Sequence, residues 1–97
     1  MDIWDISDPE NPSHLSRFPY SNSGYTHSGW PTEDQQFLFI QDELDERYNG
    51  LFKTLRVLSS ADLTAPVLVG TWVGPARAIY HNSFVRGNRY YMFNYIR

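Results

Sequence analysis

A histidine and a dense group of acids lie at the two ends of one short segment of this 97-residue chain. In "THSGWPTEDQQFLFIQDELDE" the histidine is His27, and the last five positions hold four carboxylates, Asp42, Glu43, Asp45 and Glu46. Imidazole nitrogen suits Zn²⁺ and similar transition metals, whereas carboxylate oxygens suit Ca²⁺ or Mg²⁺. The segment is therefore either a site or only the solvated end of a strand.

A β-hairpin is the element that must position these residues. We predict strands on either side of a turn near residues 33–35, so that residue 27 lies opposite residue 40 or 42 and His27, Asp42 and Glu43 meet at one end. A shift of one residue in register would send these side chains to opposite faces. In a second hairpin, "AIYHNSFV" places His81 at the equivalent position, beside Asn82.

Two interpretations of these residues stay open. In the first, His27, Trp30, His81 and Asn82 bind a ligand, and a divalent metal, calcium or zinc, is held by a set drawn from His27, Asp42, Glu43 and His81. In the second, each histidine hydrogen-bonds a neighbouring strand or carboxylate, and "DELDERYNG" is a solvated loop. That loop lacks the central glycine and terminal glutamate of an EF-hand.

No catalytic residue is predicted. Asp42 and Asp45 could work as an acid and a base only if their surroundings separated their pKa values, which an exposed acidic loop does not do. Ser28 adjoins His27, but neighbours on a strand point to opposite faces. The sequence contains neither a glycine-rich phosphate loop nor a nucleophile elbow. Whether the protein is an enzyme stays undecided, with a non-catalytic role favoured.

The composition narrows the class of protein. The net charge of −3 argues against nucleic acid as a partner, because phosphate binding needs a concentrated basic face. The absence of cysteine excludes disulfides and thiolate metal sites. No apolar run is long enough for a membrane span, and the first thirty residues lack the apolar core of a signal peptide. The 16% of aromatic residues favours a folded, β-rich chain.

The chain resembles itself when it is shifted by 54 positions without a gap. Four identities then coincide, and apolar residues match along the whole overlap. The identities are Asp8 with Asp62, Pro12 with Pro66, His27 with His81 and Phe39 with Phe93. A fixed period of tens of residues is typical of solenoids and propellers.

Each repeat reads as short strands joined by turns, without the 3.6-residue apolar period of a helix. We predict an all-β fold of antiparallel β-propeller blades: about two four-stranded blades, partial at both ends. Residues 1–97 then form one partial propeller domain, with repeat units of approximately 1–54 and 55–97. Trp4, Trp30 and Trp72 are expected in the core between blades.

Several segments carry a resemblance to known repeats. "LRVLSSADLTAPVLVGTW", following "DIWDISDPENP", resembles the LVIVD repeat of bacterial cell-surface β-propellers. "THSGWPTEDQQFLFIQDELDE", "DLTAPVLVG" and "AIYHNSFVRGNRYYMFNYIR" resemble, in that order, blade motifs of the choice-of-anchor B family. Tyr80 departs from that pattern, because the family usually has an acidic residue before the His-Asn pair.

The resemblance implies a secreted or cell-surface protein, although this chain shows no signal peptide. We expect a fragment of a longer propeller that acts as a non-catalytic binding or scaffold module. Its partners would be the remaining blades, or further copies joined through edge strands. The alternative function is a metal-dependent hydrolase whose site, at the rim of the propeller channel, is incomplete in this chain.

Overall fold

The computed structural model describes residues 1–43, 50 and 52–95, and at position 80 only the backbone. These residues form eight strands and no helix, so the predicted all-β class is confirmed. None of the described residues belongs to a helix that could cross a membrane. The strands are β1 (Asp2–Asp5), β2 (Ser13–Arg17), β3 (Thr26–Pro31), β4 (Phe37–Asp42), β5 (Thr54–Ser59), β6 (Val67–Val73), β7 (Ile79–Arg86) and β8 (Arg89–Tyr95).

The strands form three antiparallel sheets. Strands β3, β4, β5 and β6 make a four-stranded meander in chain order, while β1–β2 and β7–β8 are separate two-stranded sheets. Strand β7 packs beside β3, which brings the last hairpin against the first strand of the meander. The meander runs across residue 54, the predicted limit between the repeat units, so sheets and sequence units are out of phase.

The hairpins β1–β2 and β5–β6, which we call the outer hairpins, pair in the same way, 54 residues apart. Ile3 lies opposite Ser16, and Val57 lies opposite Gly70. The register then shifts directly after Ile3 in one hairpin and directly after Val57 in the other. The two hairpins therefore have the same pairing, and the irregularity falls at the same position in both.

Equivalent aspartates hold the turns of these two hairpins. The Asp8 Oδ1 atom accepts a hydrogen bond from the Glu10 amide at 3.2 Å, and Asp62 Oδ1 accepts one from the Thr64 amide at 3.0 Å. Such Asx turns explain why an aspartate stands at both positions, since its short side chain bonds the backbone two residues ahead.

The hairpins β3–β4 and β7–β8, which we call the inner hairpins, differ in turn length. The first leaves four residues between Thr32 and Phe37, whose backbones are hydrogen-bonded at 2.8 Å. The second has a two-residue turn after Arg86, and its first residue, Gly87, has a φ of 58°. A glycine with positive φ at that position is typical of a type II′ turn.

Because the second turn is two residues shorter, strand β8 is displaced by two residues from the place that the gapless alignment gives it. Trp30 lies opposite Phe39, and Phe84 lies opposite Tyr91. Tyr91, and not Phe93, therefore occupies the place of Phe39. The match between Phe39 and Phe93 at a spacing of 54 is wrong as a structural equivalence.

The buried apolar core is small. It contains Ile40, Leu55 and Leu58 from the meander, with Ala78, Ile79 and Val85 from around β7. The expectation that the three tryptophans lie in a core is wrong for this chain, because their exposed fractions are 53% for Trp4, 45% for Trp30 and 46% for Trp72.

Tyr90, on β8, should ionise late in an alkaline titration. Its ring lies 4.8 Å from that of Phe39, and burial raises its pKa to about 12. The neutral phenol then stabilises the fold below the unfolded pKa of about 10, and this contribution is lost as the pH rises through about 12. The late part of the tyrosinate absorbance change should shrink in Tyr90→Phe and keep its size in Tyr91→Phe. A late part of unchanged size in Tyr90→Phe would contradict the assignment.

Candidate functional site

Both candidate histidines are the extra residues of β-bulges. On β3 the pairing with β4 uses residues 26 and 28 and skips His27, and on β7 the pairing with β8 uses residues 80 and 82 and skips His81. The prediction that residue 27 lies opposite residue 40 or 42 is therefore wrong, because residue 42 pairs with residue 26. A bulge bends its strand and re-aims the side chain of the extra residue, a device common beside functional sites.

His27, Glu43 and His81 lie together, and we call them the histidine cluster. His27 Nδ1 is 3.5 Å from Glu43 Oε2, and His81 Nδ1 is 3.5 Å from Glu43 Oε1. The two imidazole rings stack with their centroids 4.5 Å apart and an angle of 18° between their planes. One carboxylate thus faces two histidines that come from different sheets.

Neighbouring groups fix the position of Glu43. The Tyr95 hydroxyl donates a hydrogen bond to Glu43 Oε1 at 2.7 Å, and the Glu43 amide donates one to the Tyr25 carbonyl at 2.9 Å. The ring of Tyr25 is 5.6 Å from that of His27, and the ring of Tyr95 meets His81 edge-on at 5.7 Å. The aromatic neighbour of His27 directly precedes β3, and that of His81 lies on β8, in the same sheet as His81.

Asp42 lies outside the histidine cluster, contrary to the expectation that it joins His27. Its side chain is buried, and its Oδ2 atom accepts hydrogen bonds from the Tyr20 hydroxyl and the Gly24 amide, both at 2.7 Å. The Tyr25 amide donates to Oδ1 at 2.8 Å. Asp42 therefore anchors the segment that leads into β3, which is a structural role.

The remaining predicted residues are not part of the cluster. The Trp30 ring is half-exposed and meets the ring of Phe84 edge-on at 6.5 Å. Asn82 is exposed on β7. Asp45 and Glu46, which belong to the predicted acidic loop, lie outside the described residues.

Sequence reasoning missed Tyr95 as a partner of Glu43. Residue 95 pairs with residue 79 in the second hairpin, and the Glu43 amide bonds the residue 25 carbonyl in the first. Positions 25 and 79 are 54 apart, so Glu43 and Tyr95 are structural equivalents that contact each other. The two-residue difference in turn length hides this relation in a gapless alignment.

The cluster suits transition-metal chemistry better than calcium chemistry. Two imidazoles and one carboxylate are a donor set found in three-ligand zinc sites. Ca²⁺ prefers six to eight oxygen ligands, and in the described part of the chain this group offers one carboxylate.

A separate open groove lies between the segment before β3 and the strands β5 and β6. Its wall includes the Arg56 guanidinium, which sits 4.5 Å above the Tyr20 ring. The groove contains neither histidine of the cluster. Its lining residues are Phe18, Pro19, Tyr20, Ser21, Asn22, Thr54, Arg56, Leu68, Thr71 and Val73.

Comparison of the chain with protein-family models, with curated proteins and with solved structures returns no match. Its function is therefore inferred from the geometry of the described residues.

Proposed function

We propose that this chain is a non-catalytic binding or scaffold module that forms part of a β-propeller. The observation that carries the proposal is the meander β3–β6 with β7 packed beside β3. Propeller blades are four-stranded antiparallel sheets arranged around a central channel. The first strands of adjacent blades are neighbours in such an arrangement, which is the relation between β3 and β7.

The two smaller sheets fit the same scheme as half-blades. The hairpin β1–β2 pairs as β5–β6 does, which are the last two strands of the meander. The hairpin β7–β8 corresponds to β3–β4, the first two strands, apart from its shorter turn. The hairpin β7–β8 thus lacks the last two strands of a blade, which β1–β2 can supply, and β1–β2 lacks the first two, which β7–β8 can supply. Suitable partners are further blades of a longer chain or a second copy of this one.

We extend the proposal to a secreted or cell-surface location. The support is the resemblance of the segments quoted above to LVIVD repeats and to choice-of-anchor B blade motifs. The half-exposed aromatic side chains offer contact area to a partner, which agrees with the role as a binding module.

The register within the meander predicts how two half-blades would join. Phe37 on β4 lies opposite Ser59 on β5. The equivalent of Phe37 on β8 is Arg89, and the equivalent of Ser59 on β1 is Asp5. A strand β8 that pairs with β1 of a second copy therefore sets Arg89 opposite Asp5, and opposite charges across strands are favourable.

Cysteine cross-linking tests this pairing, since the chain has no native cysteine. Mixed and oxidised, the variants Arg89→Cys and Asp5→Cys should give a disulfide-linked dimer, because directly paired residues lie within the distance that a disulfide spans. The control replaces Arg89→Cys by Arg86→Cys, which lies across the turn on β7. Equal dimer yields from both mixtures, measured on non-reducing gels, would contradict the proposed joining of half-blades.

A further inference from the structure

We propose that His27, Glu43 and His81 bind a divalent transition metal of the Zn²⁺ class, which links the four-stranded meander to the β7–β8 hairpin. This site goes beyond the role as a scaffold. It also does not depend on ring closure, because all three residues belong to one chain and their side chains are already adjacent.

The distances within the cluster favour a shared ion over direct hydrogen bonds. Both Nδ1 to carboxylate separations are 3.5 Å, whereas N–H···O hydrogen bonds span about 2.7–3.2 Å. Two ligands bound tetrahedrally at about 2.1 Å from Zn²⁺ lie about 3.4 Å apart. The cluster's ligand atoms all lie within 4.8 Å of one another, so small side-chain rotations would complete the coordination.

The donor set determines the class of metal. Imidazole nitrogen with a single carboxylate suits Zn²⁺, Co²⁺ and Ni²⁺, while Mg²⁺ and Ca²⁺ require mainly oxygen ligands. Three protein ligands leave a fourth position for water or an external donor. The His81 side chain is 46% exposed, so that position is accessible from solvent.

Features around the cluster hold it in place. Both histidines are the extra residues of bulges, and both bulges occur at the same place on the two inner hairpins. The Tyr95 hydroxyl bonds the Glu43 carboxylate at 2.7 Å, as an outer partner of a metal-binding carboxylate does. Such partners orient the ligand, and their loss weakens metal binding by about 10–100-fold.

The first experiment is a titration of the chelator-treated chain with Zn²⁺, followed by calorimetry, and with Co²⁺, followed by visible absorption. We expect one ion per chain. Tyr95→Phe should weaken binding by about 10–100-fold, and His27→Ala and His81→Ala, which each remove a ligand, should weaken it by more. The control is His14→Ala, because His14 pairs with Asp2 at 3.0 Å and lies outside the cluster. Its affinity should equal that of the unsubstituted chain.

A second measurement needs no substitution. A metal that binds only the folded chain raises the midpoint of thermal unfolding. Zn²⁺ should therefore raise the midpoint of the unsubstituted chain, and Ca²⁺ at the same concentration should leave it unchanged. Absence of stoichiometric Zn²⁺ uptake would overturn the proposal. So would an equal loss of affinity in His14→Ala, or an equal rise of the midpoint with Ca²⁺.

Discussion

Replacing Asp42 by alanine should lower the free energy of unfolding by about 3 kcal/mol, because it removes a buried acceptor that serves three donors. Asp42 is 1% exposed, and its carboxylate accepts from the Tyr20 hydroxyl and from the amides of Gly24 and Tyr25. Alanine offers these donors no replacement. Urea unfolding followed by far-ultraviolet circular dichroism measures the loss.

Asp34 provides a matched control for this substitution. Like Asp42, it accepts hydrogen bonds from its neighbours, here two, from the Thr32 hydroxyl and the Gln36 amide. Unlike Asp42, it is exposed, in the β3–β4 turn. Water can replace the lost acceptor there, so Asp34→Ala should cost about 1 kcal/mol or less. Equal losses in the two variants would show that the burial of Asp42 contributes nothing.

The substitution Asp42→Ala should also displace the histidine cluster. Asp42 is adjacent in sequence to Glu43, and the segment that Asp42 anchors supplies the Tyr25 carbonyl that accepts from the Glu43 amide. A domain of this length is stable by only about 5–15 kcal/mol. Asp42→Ala should therefore weaken Zn²⁺ binding as well, although Asp42 lies outside the histidine cluster.

The strands and the outer hairpins could be read from the sequence because their signals are local. Runs of β-branched and aromatic residues mark the strands, and Asp8 and Asp62 mark equivalent turns. Both turns have the same length, so a gapless comparison aligns their strands correctly.

The register of the inner hairpins could not be read in this way. The segments "TEDQQF" and "RGNR" both indicate turns, but they enclose four and two residues, and a gapless comparison has no means to show this difference. Because the side-chain period of a strand is two residues, a displacement of two residues keeps every side chain on its expected face. Apolar residues still matched apolar residues, and the pairing of Glu43 with Tyr95 stayed hidden.

The choice between Asp42 and Glu43 was also beyond the sequence. A regular strand would point these neighbours to opposite faces, and the bulge at His27 shifts which of them meets the histidine. The aromatic residues show a different difficulty. Their pattern indicates surfaces that pack against other residues, but it does not say whether those residues belong to this chain. Trp4, Trp30 and Trp72 are half-exposed in the chain itself.

Leu58→Ala should lower the free energy of unfolding by about 3 kcal/mol, the second large effect that the structure predicts. Leu58 is fully buried at 0% exposure, in the strand that pairs with both β4 and β6. The substitution removes buried apolar volume and leaves a cavity that the surrounding strands fill only in part. Urea unfolding monitored by circular dichroism measures the change.

The matched control is the residue directly opposite, because Leu58 pairs with Leu68 on β6. Leu68 is 44% exposed and lines the open groove, so Leu68→Ala in the isolated chain should cost less than about 1 kcal/mol. The same pair of variants tests the proposed role as a module within a larger assembly. If further blades or a second copy cover the groove, Leu68→Ala becomes costly at chain concentrations that favour association, while the cost of Leu58→Ala stays the same. Equal costs for both leucines in dilute, monomeric chain would contradict the exposed position of Leu68.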